Sequence, residues 1–204
     1  MPGNIITIGR QFGSGGRLIA KKVSERLGIK YYDKELITMA AKESGISPEI
    51  FEKVDEAAAN SLLYSMVIGM YGATSRMTDY GEVSINDKIF KFQSEIIQKL
   101  ANGEPCVIVG RCADYILRER TDMLNVFIYS DTEKRIDRAV NEYGIQSKNI
   151  KEFILKSDKK RANYYNFYTG KRWGASCNYH LCLDSGVFGI DGSVDIIEKA
   201  WNSL

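Results

Sequence analysis

A glycine-rich segment between an apolar run and a basic helix constrains this chain most strongly. Residues 5–27 read IITIGRQFGSGGRLIAKKVSERL, with four glycines among residues 9–16. The apolar, β-branched residues at 4–8 predict a buried strand, and the apolar periodicity of residues 15–27 predicts a helix. Backbone N–H groups in a loop at a helix N-terminus attract anions. The segment therefore predicts a phosphate-binding loop, whereas a plain strand-to-helix turn needs fewer glycines.

Strands and helices alternate along the rest of the chain. Such alternation predicts an α/β fold with a parallel sheet and helices on both faces. Further strands are predicted at 29–32, 106–109, 124–129 and 179–183. Helices are predicted at 34–44, from Ser47, within the mostly helical stretch 56–102, at 113–118, from Asp131 to Tyr143, at 147–168 and from Asp191 or Ser193 to Trp201. Residues 69–81 are less regular and predict a loop.

The overall composition is that of an ordinary single globular domain. The chain has 204 residues and a formal net charge of +2, which predicts neither a nucleic-acid nor a membrane partner. Its four cysteines form no CxxC pair, so we expect reduced thiols and no zinc site. We find no signal peptide and no apolar run of membrane-spanning length, and expect a cytoplasmic protein.

The glycine-rich segment departs from the usual phosphate loop, G-x-x-x-x-G-K-[ST]. In that pattern the lysine reaches the β/γ-phosphates and the hydroxyl binds Mg²⁺. If Gly15 is the second glycine, Gly16 stands in the lysine position and Arg17 in the hydroxyl position. If Gly16 is the second glycine, Arg17 replaces the lysine and Leu18 the hydroxyl.

Three stretches of the chain resemble a known family. They are GSGGRLIAKKVSERLGIKYYD around the loop, VIVGRCADYIL at 107–117 and YYNFYTGKRWG at 164–174. The first is similar to cytidylate kinases and aligns without gaps with Gly16 in the lysine position. All three resemble the bacterial cytidylate kinase-like family. The resemblance implies one P-loop kinase-like domain over 1–204, a three-layer αβα sandwich with a five-stranded parallel sheet. It also implies a helical acceptor-binding insertion at about 34–102 and a lid at about 144–176.

The resemblance implies a set of donor-binding residues in the loop. Arg17 is the first candidate to supply the missing lysine charge and Arg10 the second, since arginine binds phosphate oxygens through two N–H groups. Ser14 carries the nearby hydroxyl and is the candidate Mg²⁺ ligand. The residues expected to bind ATP are Gly9, Arg10, Gly13, Ser14, Gly15, Gly16 and Arg17.

Other candidate site residues follow the later strands. Gly110-Arg111 matches the family's acceptor-binding GR pair, but Val109 and Cys112 replace its flanking acids, and Asp114 is a candidate to act instead. Arg161 matches the arginine of the lid pattern and is expected to stabilise the transferring phosphoryl group. Asp33, Lys171 and Arg172 are further candidates for substrate contact, each with a solvated or capping alternative. His180, the single histidine, is expected to be structural.

Two functions are compatible with these residues. One is an ATP- and Mg²⁺-dependent kinase of a nucleoside monophosphate or similar small phosphate acceptor, with Arg17, Arg111 and Arg161 as its catalytic cations. The other is a nucleotide- or phosphometabolite-binding protein without transferase activity, which the missing loop lysine favours. A purely structural domain is a third reading. The protein is expected to be a monomer or a homodimer.

Overall fold

The computed structural model of the protein describes residues 4–33, 36, 38, 39 and 85–204. Within these residues the strands are β1 (Ile5–Arg10), β2 (Lys30–Tyr32), β3 (Cys106–Val109), β4 (Met123–Tyr129) and β5 (Leu181–Asp184). The helices are α1 (Gly16–Leu27), α2 (Ile85–Ala101), α3 (Ala113–Ile116), α4 (Thr132–Asp137), α5 (Ile150–Thr169) and α6 (Ser185–Trp201). A π-helical segment, Arg138–Glu142, follows α4, and a 3₁₀ turn, Ser176–Asn178, precedes β5.

The five strands form one parallel sheet in the order β2-β3-β1-β4-β5. β1 is central, and its Ile8 pairs with Val109 of β3 and Val126 of β4. Because all strands run the same way, their carboxyl ends meet at one edge of the sheet, where ligands bind in open α/β folds. The glycine-rich loop leaves β1 at this edge. The predicted α/β fold with a five-stranded parallel sheet is confirmed.

Apolar side chains cover both faces of the sheet. Ile5 and Ile108 pack with Ile97 of α2 on one face. On the other face Ile6 and its neighbours pack with α1 and α6 through residues that include Ile19 and Val194. Alternate residues of a strand point to opposite faces, so a central strand buried on both sides is apolar throughout. This explains why the inner strands β1 and β3 have mostly apolar sequences.

Several element boundaries differ from the sequence predictions by a few residues, and local hydrogen bonds explain two of them. β5 begins at Leu181 instead of residue 179, because the backbone N–H of Tyr179 closes the 3₁₀ turn by donating to Ser176 O at 3.1 Å. α6 begins at Ser185 instead of Asp191 or Ser193, since the Asp184 side chain caps it by accepting from Gly186 N at 2.8 Å. Gly189, with a left-handed φ of 69°, interrupts this helix. The residues before Gly189 therefore do not continue the apolar periodicity of the rest of the helix.

Some predictions fall on other parts of the chain. The predicted helix at 34–44 is described only at residues 36, 38 and 39, where it is helical. The predicted helix from Ser47 and the predicted loop at 69–81 lie outside the described residues. The predicted acceptor insertion at 34–102 is therefore described mainly through α2, and its boundaries remain predictions. None of the described helices is long and apolar enough to cross a membrane.

Candidate phosphate-binding site

The glycine-rich loop needs glycine at two left-handed positions. Gly13 has a φ of 78° and Gly15, the residue before α1, a φ of 74°. Only glycine adopts this region without strain. The space is also filled, since a Cβ on Gly13 would lie 2.5 Å from Arg135 O and one on Gly15 2.5 Å from Ile190 Cδ1. These glycines therefore fix the path of the loop at the α1 N-terminus.

Side chains from α4, the π-helical segment and α5 hold the backbone of this loop. Arg135 Nε donates to Phe12 O at 2.8 Å, and an Arg138 guanidinium N–H donates to Gly13 O at 2.9 Å. The Phe12 N–H donates to Asp158 Oδ1 at 2.7 Å, while Asp158 Oδ2 pairs with Arg135. Both charged side chains of this pair are almost fully buried. The pair, here called the loop clamp, therefore presets the loop conformation before any ligand binds.

Arg10, the last residue of β1, packs against Gly16 and Gly110. A Cβ on Gly16 would lie 2.5 Å from Arg10 Cβ, and a Cβ on Gly110 would overlap the Arg10 guanidinium. That guanidinium is 3.7 Å from Asp33 Oδ1. The side chain is 20% exposed. Arg10 therefore brings a half-buried cation to the carboxyl edge of the sheet.

Arg17 meets the same carboxylate from the first turn of α1. Its Nε is 2.6 Å from Asp33 Oδ2, and its side chain is 57% exposed. Asp33, which follows β2, is buried and balances part of the charge of both arginines. Arg10 and Arg17 therefore both pair with Asp33. The sequence analysis treats Asp33 as a candidate for substrate contact or as a helix cap, and it does not predict this pairing.

A cleft of about 330 Å³ opens beside the loop, here called the basic cleft. Its cationic lining residues are Arg10, Arg111, Lys160 and Arg161. Among the described residues, no carboxylate lines it. Its aromatic lining residues are Phe12, Tyr164, Tyr165, Trp173 and Tyr179. Four cations without a lining anion favour a negatively charged ligand, and the rings offer a surface for a planar group.

Arg161 is a cation of the cleft lining whose pKa is strongly lowered. Burial and the nearby charge of Arg10 lower its pKa to about 9. The guanidinium donates to Arg10 O at 3.1 Å and lies 5.5 Å from the Phe12 ring centroid. An anion in the basic cleft would relieve the repulsion between Arg10 and Arg161. The sequence prediction of Arg161 as a site residue thus coincides with a cleft position.

Arg111 lines the basic cleft through a strained backbone. Gly110, Arg111 and Cys112 have consecutive φ values of 75°, 59° and 56°. A non-glycine residue in this region costs about 1–2 kcal/mol. Strain of this kind is retained where the surrounding structure imposes it, and it clusters at functional sites. The strained turn after β3 thus places Arg111, the arginine of the matched GR pair, in the cleft lining.

Asp114 lies one layer behind the cleft lining. Its Oδ2 accepts a hydrogen bond of 2.7 Å from the hydroxyl of Tyr165, which lines the cleft. Burial raises the pKa of Asp114, and burial together with this carboxylate raises the pKa of Tyr165 far above its usual value. The carboxylate therefore positions Tyr165. Asp114 is not in the described lining of the cleft, and direct substrate contact by Asp114 remains a prediction.

Lys171 and Arg172 lie beyond α5, outside the described lining of the basic cleft. Lys171 Nζ is 5.9 Å from the ring centroid of Tyr115. The carbonyl oxygen of Arg172 accepts from Asn178 Nδ2 at 2.8 Å. Both side chains are exposed. Their predicted role in substrate binding remains a prediction.

The loop does not fit a Mg²⁺ ion held through a hydroxyl. Ser14 is fully buried, and its hydroxyl donates to Gln11 O at 2.9 Å. The position after Gly16 carries Arg17. Among the described residues, no group of three histidine, cysteine, aspartate or glutamate side chains is arranged to hold a metal ion. Ser14 as a metal ligand thus remains a prediction that would require it to leave Gln11.

Sequence reasoning missed several members of the site. The pairing of Asp158 with Arg135 joins residues 23 positions apart, and no spacing rule connects them with Phe12. Lys160 and Trp173 line the basic cleft without being singled out. Lys160 stands beside Arg161 in the lid pattern, and Trp173 belongs to the stretch YYNFYTGKRWG, so both were within reach of that resemblance. His180 has the structural role expected for it, accepting from Asn125 N at 3.2 Å through Nδ1.

Solved structures with the same architecture define the class of the fold. A shikimate kinase from Acinetobacter baumannii, solved in complex with shikimate, has a TM-score of 0.52 and 12% identity over 100% of this chain and 94% of that one. A shikimate kinase from Bacteroides thetaiotaomicron has a TM-score of 0.55 and 14% identity over 97% of this chain and 98% of that one. The fold, with its glycine-rich loop between β1 and α1, is that of the P-loop kinases.

The model of the cytidylate kinase-like family matches residues 5–187, and the chain belongs to that family. The family resemblance stated from the motifs is therefore confirmed. Cytidylate kinase from Archaeoglobus fulgidus is 26% identical over 199 residues, covering 96% of this chain and 93% of that protein. A structure of an uncharacterized protein from Eubacterium ventriosum has a TM-score of 0.70 and 32% identity over 98% of this chain and 99% of that one.

Proposed function

We propose that this protein is an ATP-dependent kinase that transfers the γ-phosphoryl group to a nucleoside monophosphate or similar small phosphate acceptor. The observation that carries the proposal is the basic cleft, in which four cations gather beside a preset phosphate loop with no carboxylate in the described lining. The family and the P-loop kinase fold support a nucleotide kinase-like function. The aromatic lining suits a base or a ring of the ligand.

Catalysis of this kind consists mainly of positioning and electrostatic stabilisation. An oxygen of the acceptor phosphate attacks the γ-phosphorus, and the bond from that phosphorus to the β,γ-bridging oxygen breaks. ADP departs with the electron pair. We assign the donor phosphates to the loop N–H groups and Arg17. We assign the acceptor and the transferring group to Arg111 and Arg161, which line the cleft.

We propose ATP as the donor because the loop and the cleft fit its phosphates. Mg²⁺, when present, would neutralise charge on the donor phosphates. Since the loop lacks a hydroxyl suited to the metal, we assign it no protein ligand and no step. Asp33 is a carboxylate that balances part of the charge of Arg10 and Arg17. The predicted oligomeric state and cytoplasmic location remain predictions.

The test is Mg²⁺-dependent ADP formation from ATP with CMP, UMP or dCMP as acceptor, followed in a coupled assay. We expect turnover with at least one acceptor. Arg111→Ala is expected to lower kcat/KM for the acceptor by about 10- to 100-fold, the loss of one charge-assisted hydrogen-bonding group. Arg118→Ala is the matched control, because Arg118 is exposed and pairs with the neighbouring Glu119. An equal loss in both variants would contradict the role of Arg111.

The alternative is a nucleotide-binding protein without transferase activity. The observation that favours it is Gly16 in the lysine position, together with the loop's lack of a suitable hydroxyl. Calorimetric binding of ATP or of a nucleoside monophosphate, without ADP formation across the acceptor panel, would support this function and contradict the kinase. Absence of binding to every nucleotide would contradict both functions.

A further inference from the structure

The lysine and the first glycine of the usual loop pattern stand six positions apart. With Gly16 in the lysine position, Gly15 is the second glycine, and the first falls on residue 10. This chain carries arginine there. Position 10, where the usual pattern has glycine, thus carries a cation, and position 16, where it has lysine, carries glycine.

The structure shows that these two positions share one space. A Cβ on Gly16 would lie 2.5 Å from Arg10 Cβ and 3.2 Å from Arg10 Cγ. It would also lie 3.2 Å from Ile128 Cβ. These neighbours are the rigid bases of side chains, which cannot swing aside like the end of a long chain. A lysine at position 16 and the observed arginine at position 10 therefore exclude each other.

The course of the Arg10 side chain leads to the phosphate-binding edge. The guanidinium fills the space beside the missing Cβ of Gly110, reaches within 3.7 Å of Asp33 and lines the basic cleft. Its side chain is 20% exposed, compared with 57% for Arg17, whose Nε is 2.6 Å from Asp33. A partly desolvated cation interacts more strongly with phosphate than an exposed one. Arg10 is therefore better placed than Arg17 to replace the lysine.

We propose that Arg10 and Gly16 have exchanged the roles of the loop glycine and lysine, so that Arg10 binds the β/γ-phosphates of a nucleoside triphosphate. The inference rests on the proposed function, in that the basic cleft must bind such a ligand. It reverses the order of candidates drawn from the sequence, in which Arg17 came first. It also gives Gly16 and Gly110 a shared purpose, since each leaves room for the Arg10 side chain.

The test is a double-mutant cycle of Arg10→Gly, Gly16→Lys and R10G/G16K, read by ATP calorimetry and by thermal unfolding without ligand. Arg10→Ala is expected to weaken ATP binding by about 10- to 100-fold, and Arg10→Lys by less. Gly16→Lys alone is expected to lower the unfolding temperature because its Cβ meets Arg10. The pair R10G/G16K, which restores the usual glycine and lysine, is expected to recover both stability and ATP binding relative to Gly16→Lys.

Arg17→Ala is the matched control, with a smaller expected loss than Arg10→Ala. An Arg10→Ala protein that is folded and binds ATP like the wild type would overturn the exchange, as would additive losses in R10G/G16K. If that double variant does not fold, the ATP affinities of Arg10→Ala, Arg10→Lys and Arg17→Ala still show whether Arg10 binds the phosphates. A wild-type protein that binds no ATP would overturn the proposed function itself, whereas intact wild-type binding with an unaffected Arg10→Ala protein would overturn only the exchange.

Discussion

Arg111 combines a charge in the lining of the basic cleft with a strained backbone, so its effects on binding and on stability are separable. Its φ of 59° suits glycine better than arginine. Arg111→Gly is expected to leave the free energy of unfolding unchanged or raise it by up to about 1 kcal/mol through relief of strain. ATP or acceptor binding is expected to weaken by about tenfold or more. Urea unfolding and calorimetry on the same sample measure both, and an unfolding loss with unchanged binding would contradict this assignment.

Asp114 predicts a pH dependence of stability with a definite sign. Burial raises its pKa, so the folded protein keeps this proton to a higher pH than the unfolded chain does. Between the ordinary pKa of 3.8 and the raised one, the unfolded state therefore binds fewer protons, and this carboxyl's contribution to stability falls as pH rises.

Asp114→Asn removes this dependence while keeping an oxygen to accept from the Tyr165 hydroxyl. We expect the stability difference between the variant and the wild type to shift in favour of the variant as pH rises through that window. Urea unfolding of both proteins at matched pH values measures it. A difference that is constant with pH would show that Asp114 titrates as in the unfolded chain.

At the scale of elements, the loop clamp connects α5 with the glycine-rich loop. Asp158→Ala leaves the buried Arg135 guanidinium without its carboxylate and removes the acceptor for Phe12 N. Breaking a buried pair on one side costs about 3–5 kcal/mol. Urea unfolding is expected to show a loss of this size, and ATP binding to weaken because the loop is no longer preset.

The control for the loop clamp is another aspartate in an ion pair. Asp191 pairs with Lys22 at 2.7 Å, and both side chains are exposed. Solvent screens such a pair, so Asp191→Ala is expected to change stability little. Similar losses in the two variants would mean that burial of Asp158 adds nothing. The comparison therefore tests whether the buried Asp158–Arg135 pair contributes more to stability than an exposed ion pair does.

For the whole molecule, nucleotide binding should appear as thermal stabilisation. ATP at 100 times its Kd adds about 2.7 kcal/mol to the folded state, which raises the Tm of a protein of this size by roughly 5–10 °C. Adenosine, which lacks the phosphates, is expected to give a much smaller shift. Added salt should reduce the ATP effect by screening the basic cleft. An adenosine shift equal to that of ATP would show that the phosphates contribute nothing.

The sheet and its order explain which parts of the fold were predictable. Apolar runs identified the inner strands β1, β3 and β4, because a strand covered on both faces of a parallel sheet needs largely apolar residues. The start of α6 was missed because a side-chain cap at Asp184 and a left-handed Gly189 leave no periodic signal. The beginning of β5 was missed because a 3₁₀ turn extends to Tyr179. Local hydrogen bonds set these boundaries, and hydrophobic periodicity does not report them.

The sequence by itself determined the strand–loop–helix unit and the family, because glycine spacing, apolar periodicity and short motifs are local properties. Its motifs also predicted Arg111 and Arg161 as site residues, and both line the basic cleft. Only the tertiary structure decided that Arg10 fills the space at Gly16, that Asp158 and Arg135 fix the loop, and that Asp114 stands behind Tyr165. These contacts join residues far apart in the chain, and the direction of a long side chain depends on which space its neighbours leave open.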